Sequence, residues 1–161
     1  MVALFALLGA CASARQRLKE AESSEPMFAE AAGAPAERNS VNLLVGVTID
    51  RADDGFTLGG NYERRLGDEL GVGGFADATF GGDHTAAVVG PAVFYHPADR
   101  WVVFGGPGVE FFRGDAEALA RLGVWYEFPV EKLTLSPTFF VDLGGDDDAA
   151  AFLGVSLGWK F

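Results

Sequence analysis

From Val41 onward the chain keeps one rhythm, an apolar residue at every second position with small, polar or charged residues between them. The rhythm is clearest in the last nine residues, where Leu153, Val155, Leu157, Trp159 and Phe161 form one set and Gly154, Ser156, Gly158 and Lys160 the other. Successive side chains of a strand point to opposite faces, so this is a strand with two very different sides. Clusters of turn residues interrupt the rhythm at regular intervals and divide it into eight predicted strands: 41–50, 56–65, 70–80, 85–96, 101–112, 118–128, 133–143 and 151–161. Each is close to the roughly 9–11 tilted residues that cross a hydrocarbon layer.

The charges test the alternation. One face carries Val41, Leu43, Val45, Val47 and Ile49, then Phe56, Leu58, Gly60 and Tyr62, then Leu70, Val72, Gly74, Ala76, Ala78 and Phe80, and the later strands continue it without a charge. Glu63, Asp77, Glu110, Arg121, Glu127, Asp142 and Lys160 fall on the opposite face, among ten glycines and the large rings of Phe75, Phe94, Phe104, Trp125, Phe140 and Phe152. A soluble sandwich would turn its charges outward. Here the charged face is also the face with the least room, as expected for the cramped interior of an eight-strand barrel whose apolar wall meets lipid. The expected fold is therefore all-β, an eight-stranded antiparallel up-and-down transmembrane β-barrel over residues 41–161.

Composition agrees with this reading. The 161 residues are 49% apolar and include 22 glycines and 14 phenylalanines, a mixture that helical proteins seldom use. No apolar run reaches the roughly 18 residues of a spanning helix, so a bilayer crossing would be made by strands. Val2 to Ala10 is a short apolar run suited to an export signal over residues 1–14. Ala12-Ser13-Ala14 fits ordinary signal cleavage, whereas Leu8-Gly9-Ala10-Cys11 is similar to a lipoprotein box that would make Cys11 the lipidated first residue, and both readings stand. Residues 15–40, rich in Ala and Glu and broken by Pro26 and Pro35, read as a flexible linker.

The two barrel ends differ. Tyr62, Tyr95, Tyr126, Trp101, Trp159 and Phe161 border the turns at 66–69, 97–100 and 129–132, while Phe56, Phe80 and Phe111 mark the other rim. The connections of that second rim hold Asp50, Asp53, Asp54, Asp83, Asp115, Glu117, Asp146, Asp147 and Asp148 against Arg51 and Arg113, a net of −7 out of the chain's −11. With Arg64 and Arg65 counted beside the first of them, the opposite turns balance to zero. Such an acidic rim excludes nucleic acid, whose phosphates need a basic surface.

A terminal phenylalanine with a tryptophan two residues before it resembles the closing strand of bacterial outer-membrane barrels. So do the phrases Tyr62-Glu-Arg-Arg-Leu-Gly-Asp-Glu-Leu-Gly-Val-Gly, Gly105-Gly-Pro-Gly-Val-Glu-Phe and Arg121-Leu-Gly-Val-Trp-Tyr-Glu-Phe, and the chain is similar over 41–161 to small eight-stranded outer-membrane proteins of Gram-negative bacteria. The resemblance implies an outer-membrane location with both termini periplasmic. It also implies Phe161 and Trp159 as an assembly signal, the barrel assembly machinery and outer-membrane lipid and lipopolysaccharide as partners, and a monomer. It implies no activity, because the group mixes anchors, adhesion factors, small channels and lipid-modifying enzymes.

Chemistry-bearing residues are few. Glu110 and Arg121, on neighbouring strands, are expected to pair inside the barrel, since an unpaired interior charge is costly. His84 and His96 read as solvated turn residues, and no serine lies in a loop of the acidic rim. The Asp146-Asp147-Asp148 run suits weak, non-specific gathering of divalent cations and lacks the spacing of a dedicated metal loop, and no cofactor is expected. Pro91, Pro107 and Pro137 lie inside strands, and each should weaken a rung. The functional expectation is a non-catalytic structural or interaction protein of the envelope. A narrow, porin-like channel is the alternative, and a lipid-modifying enzyme with lateral access near Pro91 and Pro107 is a further one.

Overall fold

The computed structural model describes residues 38–50, 54–81, 84–144 and 149–161, with His84 as backbone alone. The export signal, Cys11, the linker as far as residue 37 and Asp146, Asp147 and Asp148 lie outside the described residues. The strands are β1 (Asn39–Ile49), β2 (Gly55–Arg65), β3 (Leu70–Gly81), β4 (His84–Ala98), β5 (Trp101–Phe112), β6 (Asp115–Tyr126), β7 (Phe128–Val130), β8 (Leu133–Leu143) and β9 (Ala149–Lys160). Each pairs antiparallel with its chain neighbour, β9 closes on β1, and β6 and β7 both pair with β8 as two halves of one strand. The result is a closed eight-strand antiparallel barrel.

The alternation divides the residues as the sequence analysis expects. Leu43, Leu58, Val93, Leu122, Leu153 and their outward companions are exposed, and Phe75, Phe94, Phe104, Trp125, Phe140 and Phe152 are buried inside. Trp101 packs edge-on against Tyr126 at 5.1 Å and Tyr126 against Phe128 at 4.9 Å, which makes part of the aromatic border beside the turns. Both ends of the described barrel, Asn39 and Phe161, lie on this side and exchange backbone hydrogen bonds of 2.9 and 2.8 Å.

Several boundaries differ from expectation. β6 starts at Asp115, not 118, because Arg113 (φ 54°) and Gly114 (φ 98°) make a two-residue turn whose paired positive dihedrals match the twist of the flanking strands. Asp115 and Glu117 are thus strand residues and not loop residues. β4 runs to Ala98 through a bulge: Tyr95 lies opposite Val103 and Ala98 opposite Trp101, so β4 spends one residue more than β5 over the same span. With β4 extended to Ala98, His96 is a strand residue, and like Ala92 and Phe94 on the same face it is buried in the interior.

The prolines weaken rungs as expected. Val89 faces Val109 and Val93 faces Gly105, which sets Pro91 directly opposite Pro107, and the ladder is missing over the three residues between. Opposed antiparallel residues alternately exchange two hydrogen bonds or none. The two prolines meet at an exchanging position, where neither has an N–H to give. Pro137 does the same to the β6–β8 ladder, which stops at Trp125 opposite Thr138 and resumes at Phe128 opposite Leu135. The β4–β5 seam nevertheless stays shut, because a Cβ on Gly90 or Gly106 would collide with the carbonyl oxygen of Pro107 or Pro91.

Candidate functional site

The chemistry of this chain is concentrated inside the barrel, and Arg121 is its centre. The side chain projects inward from β6 and is 1% exposed, so its charge has to be met wholly by protein. Its Nε and Nη2 donate to the two oxygens of Asp142 on β8, each at 2.6 Å. Nη1 and Nη2 donate to Asp77 on β3, Nη1 closely and Nη2 at 3.2 Å. Both faces of the guanidinium are covered as well, by the Phe75 ring at 4.4 Å and the Phe140 ring at 3.9 Å. Arginine suits this place because its planar fork can meet two carboxylates along its edges while its faces stack on rings.

The expected Glu110–Arg121 pair is therefore corrected. The two residues do lie on neighbouring strands and the same face, but the register sets Glu110 opposite Glu117 and Arg121 opposite Gly106. That separates them by four residues along the strand, about 13 Å at ~3.3 Å per residue. Arg121 instead spans the narrow barrel to Asp77.

Below this knot the interior is filled. Phe94, Phe104, Trp125, Phe140 and Phe152 form a chain of ring contacts, from Phe94 and Trp125 at 5.8 Å to the stacked Phe140 and Phe152 at 4.4 Å. Gly123 makes room for it, since a Cβ there would strike the rings of Phe104 and the Cβ of Phe140. Polar pairs line the interior as well: Asn42 donates to Asn61 at 2.8 Å, and Thr138 shares a hydrogen bond with Ser156 at 3.0 Å. The Nε1 of Trp125 is, among buried side-chain polar atoms of the described residues, without a hydrogen-bond partner. Phe94, Val102 and Phe152 are 0% exposed.

A second polar knot closes the end that bears Asn39 and Phe161. His96 Nε2 contacts Glu63 at 2.7 Å, Arg65 reaches His96 Nδ1 at 2.8 Å, and Arg65 donates to the carbonyl of Asp68 at 2.9 Å. His96 is therefore not a solvated turn residue, and with both ring nitrogens engaged it has none free to activate a nucleophile. On the far side of the same mouth Lys160 donates to Glu127 at 2.5 Å. Nearer the other rim, Thr48, Thr57 and Thr79 join in a hydroxyl chain of 2.5 and 2.9 Å contacts. Of these residues, the sequence marked Glu63, Glu127 and Lys160 as inward-facing. Among the described residues no cluster of His, Cys, Asp and Glu has the arrangement of a metal site.

No protein-family model matches the chain, and no curated protein matches its sequence. Solved structures do match the fold. The N-terminal β-barrel domain of Pseudomonas aeruginosa OprF is similar at a TM-score of 0.59 with 15% identity, over 77% of this chain and 98% of that one. Neisserial surface protein A is similar at 0.53 with 10% identity, over 76% and 96%. The Yersinia pestis outer membrane protein Ail in a phospholipid bilayer nanodisc is similar at 0.52 with 14% identity, over 76% and 98%. At these identities the likeness is one of fold.

Proposed function

We propose that this protein is an outer-membrane barrel with a structural or interaction role in the bacterial envelope and no catalytic function. The observation that carries this reading is the filled interior, in which Arg121 is held by two carboxylates and two rings above a layer of buried rings. A wall with an exposed apolar face all round and a charged interior suits a bilayer, and the solved barrels of like fold include outer-membrane proteins. Steady conduction would require Arg121 to leave both carboxylates, which the low-dielectric interior strongly disfavours. Enzymatic action on lipid would need a nucleophile beside a free base, and His96 is fully engaged.

Planar-bilayer recording of the folded full chain tests this directly. Baseline conductance is expected across the physiological voltage range, and a steady open level would replace this reading with the narrow channel. Lipid A mass spectra from cells with and without the protein are expected to coincide, and a new mass difference would favour the enzyme. For orientation, the termini are placed in the periplasm and the acidic rim outside. In a Cys11→Ala background, Asp147→Cys should then react with an impermeant maleimide on intact cells and Glu131→Cys only after the outer membrane is breached.

A further inference from the structure

The β5–β6 hairpin is longer than the wall beside it. β8 ends at Leu143, opposite its neighbour's residue Ala120, whereas β6 continues upward to Asp115. Residues Asp115 to Leu119 therefore have β5 on one side and, among the described residues, no strand on the other. The prolines establish which backbone groups this leaves free. Pro107 meets Pro91 at an exchanging position, so odd-numbered residues of β5 bond toward β4 and even-numbered ones toward β6. Phe112 with Asp115, Glu110 with Glu117 and Gly108 with Leu119 are then the bonded pairs of the hairpin. Ala116 and Ala118 must turn their N–H and C=O groups away from it. Pro137 gives the same phase from the other side, since its nitrogen faces Tyr126, another even-numbered residue of β6.

This edge is a template for one more strand. Asp115, Ala116, Glu117 and Ala118 are all exposed, and the two alanine side chains are too small to shield the backbone. Charge selects the occupant. Asp115 and Glu117 share the mouth-facing side, with Glu110 opposite Glu117 and Asp142 one residue before the end of β8. A second copy of the same edge would bring carboxylate against carboxylate, which opposes self-pairing. A strand added along β6 would place one side chain directly across from Glu117 at a non-exchanging position, where opposed side chains come closest.

We infer that the free edge of β6 at Ala116 and Ala118 binds an extended basic segment of a partner protein by strand addition, with Lys or Arg opposite Glu117 and Asp115 and small apolar residues opposite the two alanines. This names a partner class for the interaction role proposed above and rests on that reading.

The test uses the full chain folded in detergent and a fluorescein-labelled peptide, Val-Lys-Val-Lys-Val, followed by anisotropy. Saturable binding is expected, with Val-Glu-Val-Glu-Val silent. N-methylation of the peptide's valines should weaken binding about fivefold or more, the scale of one or two lost hydrogen bonds. Ala118→Pro should do the same, because it removes an edge donor without touching a rung to β5, and Glu117→Lys should weaken binding further. If Ala118→Pro does not fold to a heat-modifiable barrel, the N-methylated peptide on the unchanged protein carries the backbone test. No binding of the lysine peptide, equal binding of the glutamate peptide, or indifference to N-methylation would overturn the proposal. So would a crosslink showing residues 145–148 of the same chain seated on the edge. Bilayer conductance is independent of all these results, so a non-conducting barrel that ignores the peptide removes the partner and leaves the structural reading in place.

Discussion

The seam where β1 meets β9 and the seam where β4 meets β5 solve the same problem in opposite ways. The closing seam is unbroken from Ser40 opposite Lys160 to Ile49 opposite Ala151, and Asn39 and Phe161 extend it by two more backbone bonds. The β4–β5 seam lacks rungs at Pro91 and Pro107 and is bulged between Tyr95 and Ala98. On the other flank of the same hairpin, Pro137 interrupts the pairing with β8. The β5–β6 hairpin, fully paired within itself from Trp101 opposite Tyr126 to Phe112 opposite Asp115, is thus set between two weakened seams.

What holds it is inside. The contact of Arg121 with Asp77 passes from β6 to β3 and so bridges the β4–β5 break, while its contact with Asp142 bridges to β8. Glu127, at the break left by Pro137, is tied across β8 to Lys160 on β9. In lipid no water can satisfy a missing rung, so wall bonds lost to proline are offset by side-chain bonds through the interior. The charged interior of this barrel is therefore part of its wall.

The most damaging substitution is Arg121→Ala, which leaves the carboxylates of buried Asp77 and part-buried Asp142 uncompensated and removes both ties. A loss of about 3–5 kcal/mol is expected, read from urea unfolding in detergent, with faster amide exchange along β5 and β6. Arg121→Lys should not restore it, since a single ammonium cannot fork to both aspartates. Deleting Phe161 attacks the closing seam instead. It removes two backbone bonds to Asn39, about 2 kcal/mol, and should lower the yield of heat-modifiable barrel. An undiminished yield would remove the closing residue from the account.

The double change Pro91→Ala, Pro107→Ala sharpens the contrast from the other side. Two donors return at an exchanging position, and a gain of about 1–2 kcal/mol is expected if the seam is weak for the reason given. A loss of stability would mean that the prolines relieve curvature more than they cost in hydrogen bonds. The smallest effect belongs to Lys160→Met. Lys160 is partly exposed at the mouth, and its tie to Glu127 should be worth about 0.5–1 kcal/mol, diminishing with added salt.

The alternation in sequence was enough to assign nearly every side chain to lipid or interior, because a strand has only two faces and a one-residue slip would bury every outward valine and leucine. It also marked the three prolines as weak rungs and the six interior rings as filling. It misplaced the start of β6 at 118, reading Asp115 and Glu117 as loop, whereas the turn dihedrals at Arg113 and Gly114 close the hairpin two residues after Phe112. It misread His96 by its nearness to the turn at 97–100, although the same alternation that buries Phe94 also turns His96 inward.

Which face each residue takes was therefore determined by the chain alone, through local geometry that repeats every two residues. Which residues meet was decided only by the closed barrel. Arg121 and Glu110 are near in any list of adjacent strands, yet register sets them four residues apart, while Asp77, three strands away, lies across a cavity narrow enough for one arginine to span. Contacts across a barrel depend on register, stagger and diameter together, and these emerge only when the last strand closes on the first.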